Sequence, residues 1–193
     1  MAARVDAPVA PAAVPAPPPA VDPITTARME EVQHIVDEGA APGRLAKVIS
    51  EYTGEAPALV ARKTALAALR TVRDRSARLA ALIDAGRAPG LAPDDDPLWP
   101  ELVGALSETW AAENTAAGRA RMLREKDPRL RLLLVSSLAV YAASNRGLSD
   151  MTIRQRRVLH QEFMRLYPSL PPLPRRQIDA FLARINVNAR GTL

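Results

Sequence analysis

Few residues in this chain have the types and spacing that bond-making chemistry needs. Glu31 and His34 form one ExxH pair, half of the pattern that di-iron helical bundles use twice. No second ExxH accompanies it, and the other histidine, His160, adjoins the apolar stripe of its own segment. Asp94, Asp95 and Asp96 set three carboxylates side by side before Pro97. They stand where a helix N-terminus favours negative charge, and no second ligand cluster joins them, so capping is expected rather than a metal. Gly147-Leu148-Ser149 lacks the spacing of a nucleophile elbow, and the chain has neither a phosphate-binding P-loop nor a dinucleotide-binding glycine loop. It contains no cysteine, which removes disulfides, thiol nucleophiles and Cys-ligated metals. The expectation is a non-enzymatic protein with no catalytic residue, no metal and no cofactor.

Other residues have the chemistry of recognition. Leu170-Pro171-Pro172-Leu173-Pro174-Arg175-Arg176 has the φPxφPxR spacing of a polyproline ligand for an SH3 groove. The segment also lies between two amphipathic stretches, which makes it a joint. Each residue before a proline is pushed out of the α region, so Leu170 to Pro174 is expected to be extended, with Leu170 and Leu173 as a strap and Pro174 opening the last helix. Trp99 and Trp110 lie eleven positions apart, about 20° apart on a helix. They are core residues or interface anchors. Leu170, Pro171, Pro174, Arg176 and the two tryptophans are thus the candidate protein-contact residues.

The net charge of +5 is unevenly spread. Up to residue 118 there are 11 basic and 16 acidic side chains; from Arg119 onward there are 15 and 5. Such asymmetry points to an acidic partner for the C-terminal part. Arg119, Arg121, Arg124, Arg154, Arg157 and Arg165 are the candidate contacts to nucleic acid or another acidic partner, an anionic membrane surface or an acidic protein.

The elements that must position these residues read as helices throughout. Residues 1–21 form an Ala/Pro tract in which neither helix nor sheet can form, expected to be a disordered arm. Apolar residues then recur at helical spacing near 23–38, 42–53, 56–85, 98–126, 128–143, 152–167 and 174–186. In the long 56–85 segment Asp74 lies four residues from Arg70 and Arg78 and can pair with either, and Arg62 falls on the polar face. Leu132 to Ala143 is apolar nearly all round, the mark of a buried central helix, and Asn145-Arg146-Gly147 should end it. In 152–167, Ile153, Leu159, Phe163, Leu166 and Tyr167 form the inner side, and Arg154, Arg157 and Arg165 the outer. The expected fold is all-α: one bundle-like domain of six to seven helices over 22–186, with a frayed tail at 187–193.

Alanine supplies 36 of the 193 residues and aromatics only 4%, so the core is thin and a partner is expected to cover part of it. No stretch has the length of a membrane span, no compact apolar leader opens the chain, and the Ala/Arg/Pro bias resembles a high-GC bacterial genome. The expectation is therefore a cytoplasmic bacterial adaptor, accessory or assembly component, with secretion among its contexts. It binds a protein partner through apolar helix faces or associates with itself. The second reading is a nucleic-acid-binding regulator using residues 119–176.

Overall fold

The structure, a computed structural model, describes residues 23–51, 56–88, 91 and 96–190. The arm 1–21, Asp94, Asp95 and residues 191–193 lie outside them. The described residues form ten α-helices and no strand: α1 (Pro23–Asp37), α2 (Pro42–Glu51), α3 (Ala56–Thr71), α4 (Arg75–Ala85), α5 (Trp99–Thr109), α6 (Ala112–Arg124), α7 (Pro128–Ala143), α8 (Asn145–Asp150), α9 (Ile153–Leu166) and α10 (Pro172–Arg190). The all-α class expected from the sequence holds; the number of helices is larger than six to seven. No described helix is long and apolar enough to cross a membrane.

The additional helices come from breaks that lack the usual Gly or Pro. The segment 56–85 divides because Asp74 is an N-cap, not an ion-pair partner. Its Oδ1 accepts from the amides of Ser76 (2.9 Å) and Ala77 (3.1 Å), satisfying donors that no intrahelical carbonyl can reach. Arg78 closes the other side of the joint, donating from Nη1 to the carbonyls of Arg70 and Val72 at the end of α3. The segment 98–126 divides at Trp110–Ala111, where both residues are extended. The break turns the Trp110 indole onto α7, where Nε1 donates to Ser137 Oγ at 3.0 Å. Gly118 makes room for the ring: a Cβ there would lie 2.6 Å from it.

α7 begins as expected, with Asp127 as cap and Pro128 in the first turn. Its side chains from Leu133 to Ala139 are all buried, and α5, α6, α8 and α10 pack on it. Asn145-Arg146-Gly147 does not unwind the chain but opens α8, because Ser144 Oγ accepts from the Gly147 amide at 2.9 Å. Gly147 is needed for proximity: any Cβ would overlap the Tyr141 carbonyl.

The first four helices form a second group, α1 and α2 each against α3, and α2 against α4. Its buried Val32, Ile35, Leu45, Ile49, Leu66 and Leu69 run on into one core with the C-terminal group. Among the described residues three ion pairs lace the groups together besides a buried Arg62–Asp96 pair: Lys63–Glu101 (2.7 Å), Arg70–Glu108 (3.5 Å) and Arg75–Glu113 (3.0 Å). The first two advance by seven residues on both helices, so α3 and α5 run side by side in register.

The last helix also departs from expectation. α10 starts at Pro172, so Pro172, Leu173 and Pro174 are helical, while Leu170 keeps extended backbone. The first four amides of a helix have no intrahelical acceptor, so two prolines in the first turn cost no hydrogen bond there. That overrides the bias against α for Leu173. The backbone helix then runs past residue 186 to Arg190.

Candidate docking face on the C-terminal helices

Both tryptophans are fully buried, Trp99 in the first turn of α5 and Trp110 at its end. Neither offers surface to a partner. The proline segment is likewise held down. Leu170 and Pro174 are buried, and Pro171 is half-buried. Arg175 Nη2 donates to the Pro168 carbonyl at 2.9 Å, and its guanidinium lies 5.7 Å from the Tyr167 ring centre. The Tyr167 hydroxyl donates to Asp179 Oδ1 at 2.9 Å, a bond that raises its pKa. Together these contacts clasp α9 to α10, and Phe163 meets Phe181 edge-on beneath them at 5.6 Å. Only Arg176 of the string projects freely into solvent as a charge.

The other hints of chemistry resolve into structure. His34 Nε2 lies 3.3 Å from Glu38 Oε1 on an exposed turn, and His160 is half-buried. No group of three potential metal ligands occurs among the described residues. Asp96 opens α5, its Oδ1 accepting from the Leu98 amide at 2.8 Å. Its Oδ2 accepts from Arg62 Nη2, also at 2.8 Å, and Arg62 Nε donates to the Ile49 carbonyl at 3.0 Å. The Arg62 and Asp96 side chains are only 5% and 7% exposed, so Arg62 is an internal tie and not part of a polar face. An open groove of about 160 Å³ between α1 and α2 is lined by Glu31, Ile35, Arg44, Lys47, Val48 and Glu51. Its cations are already engaged, Arg44 by Glu38 and Lys47 by Glu51.

The C-terminal arginines differ in this respect. Before residue 118, Arg44, Lys47, Arg62, Lys63, Arg70, Arg75 and Arg87 each pair with a carboxylate. From Arg119 onward most carboxylates serve other groups. Glu125 accepts from the amides of Lys126 and Asp127, and Asp127 from those of Arg129 and Leu130. Asp179 binds Tyr167. Asp150 accepts from the Tyr141 hydroxyl at 3.2 Å and from Arg146 at 3.3 Å. Burial, and then the Asp150 charge, push the Tyr141 pKa up to about 12. Arg119, Arg121, Arg154, Arg157, Arg165 and Arg176 are left with no hydrogen-bond or ion-pair partner among the described residues. Arg124 only bonds back to the Ala120 carbonyl of its own helix.

These arginines do not form one patch. Those of α6 are spread over its outer arc, and α6 packs on α7. Those of α9 share a face: at 100° per residue Arg154, Arg157 and Arg165 fall within about 80° of one another. Ile153, expected inside, is 72% exposed beside them, and Met164 is 44% exposed. The placement follows from the angle, since Ile153 sits about 120° from the buried Leu159. A helical wheel drawn around Leu159 and Phe163 would have found it. The face is therefore mixed, unpaired guanidinium groups alternating with solvated apolar side chains. Compared with protein-family models, with curated proteins and with solved structures, the chain matches none.

Proposed function

We propose that this chain is a non-enzymatic helical interaction protein, an adaptor, accessory or assembly component of a bacterial macromolecular complex, secretion being one setting. It works in the cytoplasm by docking a protein partner. The observation that carries this reading is the outer face of α9, where Ile153 and Met164 stand exposed among arginines that no internal carboxylate engages. Exposed apolar side chains gain from being covered, and unpaired arginines set orientation and encounter rate. The buried tryptophans take no part; the anchors are on α9. Native-state sedimentation of the protein from its source cells tests the reading. The expected result is an assembly well above the 20.8 kDa of the chain, left intact by nuclease. Migration as the free chain contradicts it.

The second reading, a nucleic-acid-binding regulator, draws support from the unpaired Arg119 and Arg121 on α6 in addition to those of α9. It predicts bound nucleic acid at low salt, released steeply as salt rises. Collapse of the assembly under nuclease would favour it.

A further inference from the structure

We propose that the partner's docking element is an acidic amphipathic helix of about three turns, lying lengthwise along α9. The inference rests on the docking reading above and adds the partner's chemistry and orientation. Side chains eleven positions apart on a helix return to nearly the same direction, about 20° off, after a rise of about 16 Å. The outer face of α9 contains two such pairs, Ile153 with Met164 and Arg154 with Arg165, and Arg157 and Gln161 are exposed along it. Each pair makes a line along the helix axis, the two lines about 100° apart, with Arg157 between them and nearer the apolar one. A surface that crosses α9 steeply touches one end of each line. A helix packed at a small crossing angle, about 20°, follows both over their full length. Apolar residues on one flank of that helix cover Ile153 and Met164, and carboxylates on the other meet the arginines.

Charge complementarity selects the occupant. The arginines have no internal ion pair to surrender, so an incoming carboxylate gains contact without breaking one. A phosphate backbone would also satisfy them, but it would lay a polar anionic surface over Ile153 and leave its apolar area unrewarded. An anionic bilayer would need a continuous apolar face, and two apolar side chains three turns apart do not make one.

The test places a photocrosslinking residue, p-benzoylphenylalanine, at Gln161 in the full chain, expressed in its source cells. The expected adduct is a protein segment rich in Asp and Glu with apolar residues at three-to-four spacing, mapped by mass spectrometry. Its yield should fall about tenfold or more in R154E/R157E/R165E and about tenfold in Ile153→Ser. Arg73→Glu, an exposed charge between α3 and α4, should leave it unchanged. Thermal melts check that each variant is folded, and R154Q/R157Q/R165Q, expected to show an intermediate loss, replaces the reversal if that variant is not. An adduct with nucleic acid or lipid overturns the proposal. So does an adduct with a segment lacking carboxylates, or one whose yield survives both triple variants. Absence of an adduct from a protein that still sediments as an assembly removes α9 while leaving the broader docking reading intact. Sedimentation as the free chain fails both.

Discussion

The two halves of this molecule differ in what their arginines mainly hold: carboxylates in the first, backbone carbonyls or nothing in the second. In the N-terminal half arginine and lysine are internal fasteners: Arg62 is buried on Asp96, and Lys63, Arg70 and Arg75 span from α3 and α4 to α5 and α6. In the C-terminal half the fastening arginines bind backbone carbonyls instead, Arg146 that of Glu108, Arg175 that of Pro168 and Arg184 that of Ala143, and Arg154, Arg157 and Arg165 of α9 are left outside. The contrast teaches that a count of charges says little about their work. A carboxylate can serve two groups, as Asp96 does by capping through Oδ1 and holding Arg62 through Oδ2, so what decides is which cation comes within its reach.

The largest effect should come from breaking the buried tie. Arg62→Met leaves Asp96 charged and nearly dry, and should lower stability by about 3–5 kcal/mol. Urea denaturation measures it, with C_m falling at unchanged slope. Adding Asp96→Asn should recover most of the loss; no recovery would mean that Arg62 contributes mainly through the Ile49 carbonyl.

Packing is the corresponding fastener of the other half. Gly118→Ala drives a Cβ into the buried Trp110 ring and should cost about 1–3 kcal/mol, with a blunted near-ultraviolet dichroism signal. Full stability in this variant would show that the Trp110–Ala111 break is not held by the ring.

A smaller effect should appear on alkaline titration. Tyr141 has its pKa raised to about 12, above the unfolded value near 10. A raised pKa gives stability that is complete below pH 10 and lost as pH climbs from 10 through 12. Stability should fall over that window, and Tyr141→Phe should flatten the fall. Tyrosinate absorbance gives the order of ionisation directly.

The smallest effect sharpens the contrast most. Arg154→Ala, Arg157→Ala and Arg165→Ala should each change stability by less than about 0.5 kcal/mol, because these side chains hold nothing together. A loss near that of Arg62→Met would erase the distinction between the halves.

The helical class was legible because apolar residues recur at helical spacing and because α7 has no polar face. Asp127-Pro128 signalled its own helix start through chemistry confined to neighbouring residues. The breaks at Asp74 and Trp110 were hidden. Asp74 caps by the same local contacts as Asp127, but with no proline beside it an Asp four residues from two arginines reads equally as an ion pair. Trp110 ends a helix because its ring seeks Ser137, which lies 27 residues away. Leu173 is helical although it precedes Pro174, because it packs on the core and the first turn has amides to spare for prolines. For the docking face, the arginines of α9 were legible from their spacing. Their lack of partners was not, since it depends on where distant carboxylates point. Hydrophobicity alone places Ile153 inward; its angle on the helix places it outside.

The tie between Arg62 and Asp96 sets a timetable for synthesis. Its partners are 34 positions apart, so at about 5–20 residues per second the guanidinium leaves the ribosome roughly two to seven seconds before its carboxylate. Until then Arg62 cannot leave water without stranding a charge. Burial of that arginine with its charge balanced therefore waits for the start of α5.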